Sequence, residues 1–305
     1  MERWPALPFD EWKDTCETLH MWSQIVGKMK MKLSPTLNEL WHVAFDVQAR
    51  GLTTGPIPFQ DGMFQVDFDF LDHKLNVITS QGEVKSMELR PRTVTSFYQE
   101  FFSILKSFGI SARINTRPVE TEPVIPFEID DEHCSYDKEY VSRWWQLQLE
   151  CTKVLQEYRS KFYGKSSPIT FFWGSFDLGT TRYSGRPAPL PKGPRFYQLA
   201  EDQENFNCGF WPGNISASGL LYGEPAFYAY AYPVPEGFEK ASIRPDCAYY
   251  DKKFGEFILK YEDVRQSQNP EKLILEFLES AYEVAANLGK WNRIFLENPA
   301  VMELR

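Results

Sequence analysis

The chain has 305 residues, of which 43% are hydrophobic and 16% aromatic, and its net charge is −9 at neutral pH. That apolar content excludes a disordered chain. The acidic balance, with no cationic run beyond Lys28, Lys30 and Lys32, argues against nucleic acid and anionic membranes as partners.

The five cysteines are odd in number, sparse and without a C-x-x-C pair, which argues against a disulfide framework or a zinc knuckle and for a reducing, cytoplasmic setting. The N-terminus has no apolar signal core, and no apolar run approaches the roughly 18 residues of a membrane span. Asn214-Ile-Ser216 matches a glycosylation triplet that is expected to stay bare. The lysine trio reads as a solvated edge.

In chain order, Asp10 is placed to cap a helix carrying Trp12, Cys16, Leu19, Trp22 or Ser23, and Val26 at spacings of three and four, ending near Gly27 or Met31. Period-two alternation predicts half-buried antiparallel strands from Trp41 to Arg50 and from Phe64 to Phe70. Two further strands follow, Leu75–Thr79 and a segment through Leu89. A helix over about 94–108 stops at Gly109. Residues 116–136 read as an acidic, Pro-containing linker.

A long amphipathic helix, Tyr140 to Phe162, opens the second half, with Ser135 or Asp137 as its cap. A strand over 170–178 is predicted next. Residues 184–225, rich in Pro and Gly, read as a lid or binding loop. Strands resume at Ala226–Tyr232 and around Phe254–Lys260, and a last helix runs from about Glu271 to Leu288.

The two halves share this order. Trp41-His-Val-Ala-Phe-Asp-Val47 matches Phe172-Trp-Gly-Ser-Phe-Asp-Leu178, Gly82-Glu83-Val84 matches Gly255-Glu256-Phe257, and Phe97 through Gly109 lies over Phe277 through Gly289. The predicted fold class is therefore α+β: two tandem helix–antiparallel strands–helix repeats, residues 1–115 and 137–305, related by a pseudo-two-fold axis. Phe45 is expected over Phe176. A cleft between the halves is the favoured place for a ligand.

Several segments carry a family resemblance: Trp4-Pro-Ala-Leu-Pro8, Leu19-His-Met-Trp-Ser-Gln-Ile-Val-Gly27, Gly51-Leu-Thr-Thr-Gly-Pro-Ile-Pro58, Phe171-Phe-Trp-Gly-Ser-Phe-Asp-Leu178, Thr181-Arg-Tyr-Ser-Gly-Arg186, Cys208-Gly-Phe-Trp-Pro-Gly213 and Pro225-Ala-Phe-Tyr-Ala-Tyr-Ala-Tyr-Pro233. They span nearly the whole chain, and in them it resembles a microbial family known as domain of unknown function 5996. The resemblance implies a relative and no activity.

Candidate ligand-binding residues follow from alternation. Asp46 and Arg50 share one face of the first strand, and Trp173 and Asp177 one face of the strand that matches it. Arg182 has a donor fork suited to carboxylate or phosphate, and equally suited to a structural pair with Asp177. Arg186 and Trp211 lie in the Pro/Gly-rich loop. Tyr228 and Tyr230 share a strand face and either stack on a ligand or pack across the sheet. His133 is a candidate general base beside Tyr136, with Cys134 as a weaker nucleophile candidate, and the plainer reading of 133–137 is a helix cap. Asp67 and Asp69 read as solvated, and His20 and His73 as structural. The four scattered histidines support no metal site, and no phosphate loop, dinucleotide fingerprint or nucleophile elbow occurs, so any cofactor is left unknown.

Two functions compete: binding, or conversion, of a small polar or aromatic molecule in a cleft between the halves, closed by 184–225; and a non-catalytic structural or interaction module whose aromatics are core. Neither the ligand nor the oligomeric state is legible.

Overall fold

The computed structural model describes residues 2–60, 62–192, 195–215 and 219–297. Ser216 of the glycosylation triplet lies outside these residues. Helix α1 (Phe9–Leu33) leads to β1 (Phe45–Val47), β2 (Gly51–Thr53), β3 (Ile57–Phe59), β4 (Gly62–Asp69), β5 (Lys74–Thr79), β6 (Val84–Glu88) and α2 (Val94–Ser107). After a connection with a 3-10 turn at Phe127–Ile129 come α3 (Lys138–Ser160), β7 (Thr170–Phe172), β8 (Asp177–Pro187), α4 (Arg195–Ala200), β9 (Gln203–Trp211) and β10 (Ala226–Tyr232). The chain then forms β11 (Tyr249–Asp251), β12 (Glu256–Lys260), α5 (Tyr261–Gln266), α6 (Pro270–Leu288) and α7 (Arg293–Leu296). Among the described residues no helix is long and apolar enough to cross a membrane.

The protein is α+β. Its strands form one antiparallel sheet in the order β11-β12-β10-β9-β8-β7-β1-β2-β4-β5-β6, with β3 paired to β4. The halves join edge to edge where β1 meets β7, Phe45 opposite Phe171 and Asp46 opposite Thr170. This pairing satisfies two strand edges that would otherwise present unpaired backbone groups. Alternation sends Phe64, Val66 and Phe68 of β4 and Leu75 and Val77 of β5 into the core. Trp144 of α3 spans the join, 5.3 Å from Phe70 and 5.7 Å from Phe171 between ring centroids, so one core serves both halves.

Side chains set the helix starts. Thr93 accepts from Ser96 N–H at 3.1 Å, Asp137 from Glu139 N–H at 2.8 Å, and Asn269, before Pro270, from Lys272 N–H at 3.1 Å. Asp10, expected as the α1 cap, lies instead in the first turn, where its charge suits the helix N-terminus; the cap position is Pro8.

Helix α1 also runs through Gly27 to Leu33. The glycine is there for packing: a Cβ would lie 2.3 Å from the Trp173 ring. Of the three lysines read as a solvated edge, Lys28 and Lys30 are buried. Lys28 Nζ donates to the Arg117 carbonyl at 2.8 Å and Lys30 Nζ to the Ala44 carbonyl.

Three strand expectations change. Residues 41–44 are a turn, and only Phe45–Val47 is strand before β2. Residues 170–178 are two strands around a turn at 173–176, closed by Phe176 N–H donating to the Phe172 carbonyl at 2.7 Å, with Phe176 at φ 62°. The supposed loop 184–225 contains the end of β8, all of α4 and all of β9. The first two segments alternate as a strand does, and alternation alone does not reveal where a chain reverses; in the third, regular elements run between the prolines and glycines that suggested a loop.

The residue correspondence between halves changes with them. Phe45 is in a strand and Phe176 in a turn. The matched Gly82 and Gly255 turns sit on hairpins that dock oppositely: β5–β6 joins the sheet through its first strand, β11–β12 through its second.

Gly27 offers a direct test of the packing. Alanine is the better helix former by about 1 kcal/mol, yet Gly27→Ala is expected to lower the unfolding free energy by about 1–3 kcal/mol, because the indole is pinned and cannot retreat. Denaturant titration measures this; an unchanged or higher midpoint would mean Trp173 moves freely.

Candidate functional site

On β8, Leu178, Thr180 and Arg182 point to the helices, while Asp177, Gly179, Thr181 and Tyr183 point to the opposite face. There the sheet floors a cavity of about 430 Å³. Thr181 of β8 lies opposite Asn207 of β9, and Asn207 opposite Tyr230 of β10; all three line the cavity, with Glu256 of β12 beyond them.

A second row of the sheet is built for one contact. Gly179 of β8 lies opposite Gly209 of β9, and Gly209 opposite Tyr228 of β10. The Tyr228 ring lies across both glycines: a Cβ on either would come within 2.7 Å of its hydroxyl. Through this groove the hydroxyl donates to Asp177, whose other oxygen accepts from Ser175.

Three elements from elsewhere close the cavity. The turn at 173–176 brings Ser175, whose carbonyl accepts from Trp211 Nε1 at 3.1 Å. Residues 39–43 supply a wall with Trp41 and Glu39; the Glu39 charge is paired to Lys165, which stacks 4.9 Å from the Tyr183 ring. The connection after α2 contributes Glu120, at φ 52°.

Helix α1 holds two of these pieces by a stripe at i, i+4 and i+8. His20 Nε2 donates to the Gly174 carbonyl at 2.8 Å. Gln24 accepts from Val119 N–H at 2.9 Å and donates to the Val119 carbonyl at 2.7 Å, and Lys28 holds the Arg117 carbonyl. Burial pushes His20 down to about 4 and Lys28 down to about 8, so His20 is neutral at physiological pH.

The site is acidic. Burial, then the nearby Asp177, pushes Glu120 up to about 7. Burial, then Asp177 and Asp251, pushes Glu256 up to about 8. Asp177 is raised by burial against the hydrogen bonds from Ser175 and Tyr228, and Glu201 by burial against its bond from Asn205. The described lining contains no Lys, Arg or His. Aromatic walls come from Trp211, Tyr230 and Phe254, with Tyr228 and Tyr230 stacked at 6.3 Å. Among the described residues no group of three His, Cys, Asp or Glu is placed to hold a metal ion.

Of the residues singled out from sequence, Asp177, Trp211, Tyr228 and Tyr230 meet here. The others do not. Trp173 is buried against Gly27 and donates to the Val43 carbonyl at 2.7 Å. Arg182 is on the helix face, 3.2 Å from Glu279 rather than paired with Asp177, bonded to the Tyr158 carbonyl and stacked 3.5 Å from the Tyr158 ring.

Asp46 is exposed on β1, and Arg50 pairs with Asp69 at 2.8 Å and Asp72 at 2.9 Å. Asp69, read as solvated, is thereby largely buried. His133 accompanies Asp130 at 2.8 Å, and Tyr136 bonds to His73 at 2.9 Å. Arg186 reaches Glu204 and the carbonyl of Gly289 at the end of α6.

Sequence reasoning missed Glu120 and Glu256 as site residues. Glu256 follows the hairpin Gly255 and had a strand-face signal; Glu120, in an irregular stretch, had none.

Two expectations follow. Arg182→Ala removes a buried cation from Glu279 and three aromatic rings and lowers stability by about 3 kcal/mol, measured by denaturation, with the pocket intact; a stability unchanged from wild type would contradict it. The acidic site predicts a pH dependence. Glu120 and Glu256 have folded values near 7 and 8, above the ordinary 4.5. The fold therefore binds protons the unfolded chain has released, so their stabilising contribution is complete below about pH 4.5 and is lost as pH rises through about 7 and 8. Calorimetry from about pH 5.5 to 8.5 should show Tm falling more steeply in wild type than in Glu256→Gln; parallel curves would count against it.

No curated protein and no solved structure matches this chain. A family model described as a family of unknown function, DUF5996, matches residues 4–298. The match takes in both halves of the sheet, the connection that carries Glu120 and every described wall of the pocket, so the chain belongs to the DUF5996 family.

Proposed function

We propose that the protein binds a small polar molecule in the pocket floored by β8, β9, β10 and β12. One observation carries the reading. Four acidic side chains, Glu120, Asp177, Glu201 and Glu256, converge on a cavity of about 430 Å³ without a cationic partner in its described lining. Asp177 is buried and the three glutamates are half-buried; partly desolvated charge without a cationic partner is costly, and a protein keeps such an arrangement where a site requires it. The cavity size and the mix of aromatic walls with a few polar groups are those of small-molecule sites. Carboxyls that titrate near neutrality also suit general acid–base chemistry, so conversion of the bound molecule is an extension of the same reading.

The pocket draws walls from both sides of the linker 116–136, in keeping with a ligand held where the halves meet. We also read the halves as an ancient duplication at the level of element order: a helix, the antiparallel series β1-β2-β4-β5-β6 and a helix, beside a helix, β7-β8-β9-β10-β12 and a helix. On that reading β3 and β11 are additions. The described cysteines are all unpaired, in keeping with a cytoplasmic setting.

Native mass spectrometry of freshly purified protein, with a thermal-shift screen of small polar compounds, tests the binding reading. Wild type should carry or acquire a ligand, and Tyr230→Ala, which removes one wall, should lose it while its circular dichroism stays unchanged. No compound retained and no shift in Tm for either protein would remove the proposal.

A further inference from the structure

The pocket's hydrogen-bonding inventory leans towards acceptors. Glu120 and Glu256 have no hydrogen-bond donor among the described residues. Asn205 is 2% exposed, and its Nδ2 is spent on Glu201 and the Gln203 carbonyl, which leaves its Oδ1 buried in the lining with no partner. Asn207 repeats the pattern: Nδ2 donates to Thr181 at 2.9 Å and Oδ1 has no partner. The Tyr228 hydroxyl, a donor that could have faced a ligand, is committed to Asp177. The open valences of the site are therefore mainly acceptors: two amide oxygens, and two carboxyls once deprotonated, beside the Tyr183 and Tyr230 hydroxyls, which can donate or accept. A buried unpartnered amide oxygen is costly, so two of them beside two carboxyls without a donor describe a complement that donates hydrogen bonds and bears positive charge.

The walls agree. Trp211, Tyr230 and Phe254 present ring faces and edges to the same space. Ring faces attract cations, and the rings also accept an apolar body. An anionic ligand would meet like charge on several sides and find no Lys, Arg or His in the described lining. A neutral polyol would donate to the amide oxygens and the carboxyls but leave the carboxylate charge without a counter-charge.

We propose that the pocket selects a donor-rich organic cation, a primary amine, amidine or guanidine carried on an apolar or aromatic body, with the charged head between Glu120 and Glu256, its remaining N–H groups on the Asn205 and Asn207 carbonyls, and the body against Trp211 and Tyr230. This rests on the reading of the pocket as a ligand site and narrows it to one chemical class. The bound cation supplies what the fold lacks there, a positive charge that stabilises both carboxylates.

The test uses four probes on the full chain: phenethylamine and agmatine as cations, arabinitol as a neutral polyol and succinate as an anion. Each is titrated by calorimetry at roughly 150 mM salt, where the general attraction of an acidic protein for cations is largely screened. The amines should bind saturably at one site and succinate should not bind. Glu256→Gln and Glu120→Gln should each weaken amine binding by about tenfold or more, equivalent to about 1.4 kcal/mol, and these variants should melt no lower than wild type, because each relieves buried negative charge. Tyr230→Ala should weaken phenethylamine more than agmatine. Amine binding equal in wild type and in both Gln variants would overturn the inference. Saturable arabinitol or succinate binding that is lost in Tyr230→Ala, with no amine binding, would overturn the cation class and leave the pocket as a ligand site. Failure of all four probes to bind would count against both.

Discussion

The buried polar stripe on α1 is the constraint from which the rest of the site is hung. His20, Gln24 and Lys28 stand one turn apart and between them hold backbone groups from two stretches of chain: the Gly174 carbonyl in one, and both polar groups of Val119 with the Arg117 carbonyl in the other. Irregular segments carry backbone donors and acceptors that no ladder satisfies, and burying them unpaired is costly. The stripe satisfies them, and in doing so it sets the turn at 173–176 and the strap that bears Glu120 over one side of the cavity. Gly27, on the same helix, makes room for Trp173, whose indole then holds the Val43 carbonyl of the opposite wall. A helix buried on every side from Thr18 to Lys30 serves as the core of the protein and also as the clamp of its pocket.

The sheet divides its labour by face. On β8 the residues that meet the helices include Arg182, enclosed by Tyr158, Phe162 and Tyr282 and answered by Glu279. Its neighbours in sequence, Thr181 and Tyr183, belong to the pocket. One strand thus carries a buried cation on one side and a buried anion, Asp177, on the other, and the sheet between them keeps the two from neutralising each other. The unmet acidity of the pocket follows from that separation. The glycine pair Gly179 and Gly209 adds the second condition, since only strands without side chains at those positions let Tyr228 lie flat and reach Asp177.

Periodic elements were legible in the chain itself. The alternation of Phe64, Val66 and Phe68, the spacing of the run from Tyr140 to Tyr158, and the cap at Asp137 need only local chemistry, and β4 and α3 stand close to where those signals put them, as does α6. Tyr228 and Tyr230 on one face of β10 were readable for the same reason. Trp173 does not reach the site because strand alternation does not continue across the chain reversal at 173–176. Arg182 does not pair with Asp177 because it lies on the helix face of β8, where aromatic rings and Glu279 make burial of the cation acceptable.

Sequence alone determined the α+β class, the helices and the longer strands, the aromatic density of the core and the tyrosine pair of β10, because each is a property of neighbours along the chain. Only the tertiary structure decided that β1 would meet β7, that Glu120 and Glu256, separated by more than a hundred residues, would share a cavity with Asp177, and that Arg182 would not. Those outcomes depend on which face of each strand the helices cover and on how α1 ties the irregular segments down. Such contacts are long-range, and no periodicity in the chain encodes them.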